Sequence, residues 1–271
     1  MNDGLTEMFG GRGPGVVVPV VVDEKDRCFF DHPLDHVPGM VLVAGALDLV
    51  RDQAPEWAEA PDGRMRISMT FDRMCELGPP VWLRGEPIAA DDGPAWRLLA
   101  LQDGETVGQA SVRLGGKAAA ADGARQGVVP ADPALVHRHR PENVLLGGPV
   151  RVERAAVLVP PPDHRLAGAG VHTPGALIEA ARQMATMLGH TAHGRDADAQ
   201  MLWLTLEADI PTGLPVTVPL ELWWEFAPPR GARAAYGVAV VDAESGEGYG
   251  RIEIGVHTLS RAGYLKRRSA K

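Results

Sequence analysis

The sequence predicts an α+β chain made of two tandem copies of one small fold, each a long buried helix wrapped by an antiparallel sheet. Three observations predict it. Two Pro-Gly pairs, Pro38-Gly39 and Pro174-Gly175, stand where helices begin. Each opens a helical stretch that is apolar on nearly every side, and a helix apolar all round belongs in a core rather than at a surface. Each helix is then followed by two pairs of strand-like segments in the same order.

In the first copy, residues 16–22 read as a strand, and Pro19 confines it to a sheet edge because proline donates no ladder hydrogen bond. Residues 28–37 form a loop rich in His, Asp and Pro. The helix spans 39–52 and stops between Arg51 and Pro55. Met65, Ile67, Met69 and Phe71 alternate with other residues over 64–71, which is strand periodicity. Gly78-Pro79-Pro80 turns the chain into a strand over 81–88, and 96–101 and 107–114 form a hairpin around Asp103-Gly104-Glu105. In the second copy a strand over 150–159 runs into Pro160-Pro161-Pro162. The helix reaches about Gly189, strands follow over 201–210 and 216–226, and a last hairpin joins 234–241 to 249–256 through Glu244-Ser245-Gly246-Glu247. Gly104 and Gly246 occupy matching turns.

One long buried helix wrapped by an antiparallel sheet, done twice, is the double hotdog arrangement. The expected boundaries are 16–115 for the N-terminal repeat, 116–149 for an Ala/Gly-rich inter-repeat linker, and 150–260 for the C-terminal repeat. Two such sheets can run into one another and cover edges otherwise open to aggregation. The alternative is an unrelated α+β protein with two similar halves. With both halves of a hotdog pair in one chain, a monomer can stand alone, and a homodimer is the other expectation.

Composition narrows the partners. A formal net charge of −8 over 271 residues disfavours nucleic acid and anionic membranes as partners. Cys28 and Cys75 lack the spacing of a disulfide framework or zinc site, so a reducing cytoplasm is the default. The Gly-rich first 15 residues hold no apolar signal core, and the apolar runs 15–22 and 37–46 are too short to span a bilayer. A cytoplasmic protein is expected, and the last residues, 266–271, are expected to be disordered.

Four segments carry a family resemblance. Asp31-His32-Pro33-Leu34-Asp35-His36-Val37-Pro38-Gly39-Met40 resembles the loop-to-helix segment of hotdog acyl-thioester enzymes. Val136-His137-Arg138-His139-Arg140-Pro141-Glu142-Asn143-Val144-Leu145, Glu179-Ala180-Ala181-Arg182-Gln183, and the strand pair MLWLTLEADIPTGLPVTVP over 201–219 are similar to stretches of the A-factor biosynthesis (AfsA-like) hotdog family. The resemblance implies an acyltransferase with no cofactor of its own. It would move a β-ketoacyl group from an acyl carrier protein thioester to the hydroxyl of dihydroxyacetone phosphate or a similar phosphorylated hydroxy-ketone, in making γ-butyrolactone or butenolide signalling molecules. The alternatives are a hotdog thioesterase or dehydratase, or a non-catalytic acyl-binding protein. The chain departs from the pattern in two places. No carboxylate follows Gly39 before Asp48, and Ala167-Gly168-Ala169-Gly170 replaces a Pro- and His-rich loop. One centre per chain, built around the second helix, is therefore expected.

Glu179 and Arg182 are three apart and share a helix face with Gln183. On an apolar helix, each charge needs a partner or a polar cavity. Glu179 is the candidate general base, with a pKa raised by partial burial and opposed by Arg182. Arg182 is the candidate phosphate clamp, and Gln183 joins them in binding substrate. The plain alternative is an ion pair on an exposed helix face. Gly39 and Gly175 begin helices whose free N–H groups could polarise a thioester carbonyl. His32 and His36 could orient the thioester or act as base, or could be loop histidines bonded to backbone. Asp31, His32, Asp35 and His36 lie within six residues, but loop spacing is not ligand geometry and no metal site is expected. The basic cluster 137–140, with Arg140 and Asn143 as its binding candidates, could meet a phosphate or dock an acidic carrier protein; it could equally be a solvated linker.

Overall fold

Alternating apolar residues in both halves of the chain feed one continuous sheet. The computed structural model describes residues 15–58, 60, 62–116, 127–151 and 153–269. The first half supplies β1 (Val16–Pro19), β2 (Arg64–Phe71), β3 (Val81–Ile88), β4 (Ala95–Gln102) and β5 (Glu105–Leu114). The second supplies β6 (Leu146–Arg151), β7 (Arg154–Val157), β8 (Gln200–Pro211), β9 (Leu220–Trp224), β10 (Arg233–Asp242) and β11 (Gly248–Leu259). They form an eleven-stranded sheet in the order β1-β3-β4-β5-β2-β8-β11-β10-β9-β7-β6. Read outward from the β2–β8 seam, the halves follow the same path: β5, β4, β3 on one side and β11, β10, β9 on the other. β1 takes the edge, as Pro19 requires.

The seam is antiparallel from Arg64 opposite Pro211 to Thr70 opposite Thr205. An ion pair and a hydroxyl–carboxylate bond reinforce it: Arg64 Nε donates to Asp209 Oδ1 at 2.5 Å, and Ser68 Oγ donates to Glu207 at 2.5 Å. Two long helices pack on the sheet. The first, α1 (Gly39–Gln53), buries Met40, Val41, Leu42, Val43, Ala46, Leu49 and Val50. A short α2 (Pro55–Ala58) follows it. The second long helix, α3 (Pro174–Thr191), buries Leu177, Ile178, Met184, Met187 and Leu188. Both join a single apolar cluster with the inward residues of the strands, which makes each helix the core of its half.

Some expectations shift. The strand expected over 150–159 is a β6–β7 pair with Arg151 opposite Arg154, because three of the four residues 151–154 are charged and break apolar continuity. The strand expected over 216–226 shrinks to Leu220–Trp224, since Pro215 and Pro219 delay its start. The β4–β5 turn matches the hairpin reading: Asp103 and Gly104 both take positive φ, 52° and 78°, as a two-residue hairpin demands. The expected disorder over 266–271 is overturned through residue 269. Arg261–Ser269 form a helix, α4, pinned by Arg268 to Glu76 at 2.7 Å and by Tyr264 to Asp35 at 2.6 Å. Long-range partners such as these leave no trace in local sequence. Residues 117–126, within the expected linker, lie outside the described residues, whereas the part after residue 130 includes the buried Val136, Arg138 and Asn143.

Candidate functional site

The Glu179 carboxylate sits on the flank of α3 with 1% of its surface exposed. Local spacing brings Arg182 one turn along, where Nε and a terminal nitrogen grip Oε2 and Oε1, each at 2.8 Å. Gln183 Nε2 donates to Oε1 at 2.7 Å. A second guanidinium arrives from 41 residues earlier: Arg138 donates to Oε1 at 2.5 and 3.2 Å, and to the Cys28 carbonyl at 3.0 Å. Burial pushes the Glu179 pKa up, but Arg138 and Arg182 pull harder and hold it at about 2. This corrects two expectations at once. The pair is not an exposed ion pair, and Glu179 is not a carboxylate with a raised pKa ready to accept a proton. One carboxylate serves two guanidiniums, so the cluster keeps an excess positive charge.

Arg138 and Arg182 form part of the wall of a cavity of about 380 Å3. The cavity lies between the start of α1 and the flank of α3 near the β2–β8 seam, with Phe71 and Trp203 packed edge to face at 5.3 Å. Of the residues singled out from sequence, His32, His36, Gly39 and Arg182 line it. Its described lining has five arginines (73, 138, 182, 233 and 267) against one carboxylate, Asp72. That is a strong local bias in a chain of net charge −8.

The start of α1 opens on the cavity. Pro38 gives it no side-chain cap, and Gly39 and Met40 line the space. Uncapped N–H groups at a helix N-terminus carry partial positive charge. A Cβ on Gly39 would stand 3.2 Å from both Phe71 and Trp203. The start of α3 is closed: Thr173 caps Ala176 N at 3.1 Å, and Gly175 sits against Leu166 and Leu47. Gly175 does not line the cavity, contrary to expectation.

The loops are tied together by Asp31, whose side chain is buried. It accepts from the His139 N–H, from Arg140 N at 3.3 Å and from Asn143 Nδ2 at 2.8 Å. Asn143 is 2% exposed, and its backbone carbonyl accepts from Gln183 at 2.7 Å, while Leu145 N donates to Gln183 Oε1 at 2.9 Å. Asn143 and Gln183 therefore brace the 138–145 segment against α3 and do not line the cavity. Arg140 is partly exposed beside Asp31 and Glu142 and is not on the cavity wall. The asparagine and glutamine were legible as polar handles; their role as braces needed the tertiary contacts.

The histidines differ in what holds them. His36 Nδ1 is within 2.8 Å of Asp35 and 3.3 Å of the Tyr264 hydroxyl. His32 stacks on His139 at 4.9 Å, and its Nδ1 is buried without a partner. Burial, then the neighbouring His139, lowers its pKa and favours the neutral imidazole. His137, reached only through its place in the basic cluster, also lines the cavity. Burial raises the thiols of Cys28 and Cys75 to about 12 and 11, leaving neither as a ready nucleophile. Among the described residues, no group of three or more His, Cys, Asp or Glu is arranged to hold a metal ion, and no helix is long and apolar enough to cross a membrane.

Comparison with known proteins agrees with this architecture. The dehydratase domain of the polyketide PpsC from Mycobacterium tuberculosis aligns over 92% of this chain and 94% of its own, with a TM-score of 0.58 at 18% identity. The dehydratase domain of RzxB from Pseudomonas fluorescens aligns over 91% and 94%, with a TM-score of 0.59 at 13% identity. In sequence, a 2-oxo-3-(phosphooxy)propyl 3-oxoalkanoate synthase from Streptomyces virginiae is 40% identical over 88 residues, 32% of this chain and 29% of that one. One from Streptomyces griseus is 34% identical over 104 residues, 37% of this chain and 33% of that one. The chain thus spans about a third of the length of these relatives. Residues 119–254, half of the chain, match the A-factor biosynthesis hotdog domain. The segment so matched carries Arg138, Glu179 and Arg182, and the chain belongs to the A-factor biosynthesis (AfsA) hotdog family.

Proposed function

We propose that this chain is an acyltransferase that moves a β-ketoacyl group from a thioester, carried by an acyl carrier protein, to the hydroxyl of dihydroxyacetone phosphate or a close phosphorylated hydroxy-ketone. The observation that carries the reading is the arginine-rich cavity beside an uncapped helix start. An acceptor with a phosphate needs cations, and a planar guanidinium suits phosphate oxygens. A thioester carbonyl that becomes an oxyanion needs N–H donors already in place. Gly39 and Met40 at the start of α1 are the donors for that oxyanion. Arg182 and Arg73 hold the phosphate, with Glu179 fixing the orientation of Arg182 as a positioning residue. His32 faces the thioester, and with both thiols protonated the acyl group passes directly to the acceptor. The relatives named 2-oxo-3-(phosphooxy)propyl 3-oxoalkanoate synthase support this reading, since that name describes the ester such a transfer would yield. The N-terminal repeat (16–115) and C-terminal repeat (150–260) are each proposed to supply one wall of the cavity.

The test is product analysis by mass after mixing the protein with a β-ketoacyl carrier-protein thioester, with and without dihydroxyacetone phosphate. Acyl loss that requires the acceptor, together with a new phosphorylated ester, supports transfer. Acyl loss without the acceptor replaces it with a thioesterase. Binding of the thioester with no turnover replaces it with an acyl-binding role.

A further inference from the structure

A transferase of this kind needs a base, and Glu179 does not provide it. His36 donates from Nδ1 to Asp35, 2.8 Å away with the Tyr264 hydroxyl at 3.3 Å, which leaves its Nε2 as the lone pair of an alternative base from the first loop. His32 has its Nδ1 buried with nothing to accept from it. A donor there would be an unsatisfied buried N–H, so its proton belongs on Nε2, and His32 is a donor.

His137 is held in the opposite sense. Its backbone takes a left-handed φ of 50° at the end of a 3-10 turn, Pro133–Val136, a conformation uncommon outside glycine. That geometry carries its ring over His190, with centroids 4.9 Å apart. His190 Nδ1 lies 3.0 Å from the Arg195 carbonyl, which can only accept, so His190 carries its proton on Nδ1 and leaves Nε2 as a lone pair. His137 Nε2 lies 2.9 Å from that lone pair and 3.2 Å from the Ala197 carbonyl, two acceptors. The proton of a neutral His137 is therefore on Nε2, and its Nδ1 is a lone pair on a ring that lines the cavity.

Resting on the transfer reaction proposed above, we propose that His137 is the base that takes the proton of the attacking hydroxyl on Nδ1, with His190 and the Ala197 carbonyl fixing its tautomer. As the hydroxyl oxygen bonds to the thioester carbonyl carbon, its proton passes to Nδ1. The C–S bond then breaks with its electron pair on sulfur, and the proton held by His137 goes to the departing thiolate. The reaction is balanced with no further reactant. Burial, then His190 and Arg182, hold the free imidazole down to about 4. A phosphate bound on Arg182 offsets part of that charge and raises its basicity when the acceptor is present. His190 is the positioning residue.

His137→Gly is the informative variant because glycine adopts a left-handed φ without strain. Its kcat for ester formation is expected to fall roughly 10²–10³-fold with the acceptor KM little changed, and added imidazole should restore at least about tenfold of it, as expected when a missing base is supplied. A His137→Gly rate within about threefold of wild type, or no response to imidazole in a variant with the wild-type circular dichroism spectrum, overturns the base role while leaving transfer intact. His190→Gln, which keeps an acceptor, should lose less activity than His190→Phe. Nitrogen-15 spectra of the wild-type ring provide the readout independent of turnover: a proton on Nε2 is expected, and a proton on Nδ1 overturns the assignment. A wild-type protein that forms no ester with either thioester or acceptor in excess removes the transfer reading, and the base role with it.

Discussion

The two Pro-Gly helix openings look interchangeable in sequence and are opposites in space. At α3, Thr173 caps the first turn, Leu166 and Leu47 cover Gly175, and Gly175 stays off the cavity wall. At α1, Pro38 offers no cap, and Gly39 faces a cavity past Phe71 and Trp203. The helix flanks divide in the complementary way. The flank of α3 carries Glu179, Arg182 and Gln183, whereas the corresponding part of α1 is aliphatic. Four of the cavity's arginines (138, 182, 233 and 267) follow residue 127, whereas the open helix end and Arg73 come from the first half.

The largest expected effect breaks the charged half of this contrast. Glu179→Gln leaves two guanidiniums buried with a neutral partner, and should destabilise the fold by about 3–5 kcal/mol, read as a fall in the denaturant midpoint. Next comes the pair of glycines. Gly39→Ala sets a methyl 3.2 Å from both Phe71 and Trp203 at the cavity mouth, and should lower both kcat/KM and stability, the latter by about 1–3 kcal/mol. Gly175→Ala meets only the flexible ends of Leu166 and Leu47, and should cost less than about 1 kcal/mol with activity per folded molecule retained. If both variants lose activity equally, the openings are not divided as described. Thr173→Ala should cost about 1 kcal/mol, the usual loss for a side-chain cap, and spare turnover.

The last effect is one of pH. The folded-state pKa of Glu179, about 2, lies below its ordinary 4.5. The folded protein thus binds fewer protons than the unfolded chain, and this contribution to stability is complete above about pH 4.5 and lost as pH falls towards 2. Acid titration of unfolding should show that slope in wild type and a shallower one in Glu179→Gln.

Much of the frame could be read in advance because it depends on local periodicity. Met65, Ile67, Met69 and Phe71 place β2 to the residue, and the all-apolar run after Gly39 makes α1 a core helix. Of the candidate residues named from sequence, Arg182, His32, His36 and Gly39 line the cavity, whereas Glu179 sits behind Arg182 and Gly175 lies off the wall. Arg138 looked like one of several basic loop residues until its burial against Glu179 emerged, and the Glu179 pKa reversed direction because of it. The helix of residues 261–269 was missed because Asp35 and Glu76, which hold it, lie about two hundred residues away. The final turns of that segment are basic and polar and carry no apolar period of their own.

By itself, then, the sequence determined the element types, the two helix starts, the edge place of β1 and the residue kinds that chemistry would need, because backbone preference and apolar periodicity act over a few neighbouring residues. Only the tertiary structure decided which helix start stays open, which guanidiniums share Glu179 and which nitrogen of His137 keeps its lone pair. Those outcomes depend on desolvation and on partners brought in from other loops and helices, and both are set by distance in space rather than by order along the chain.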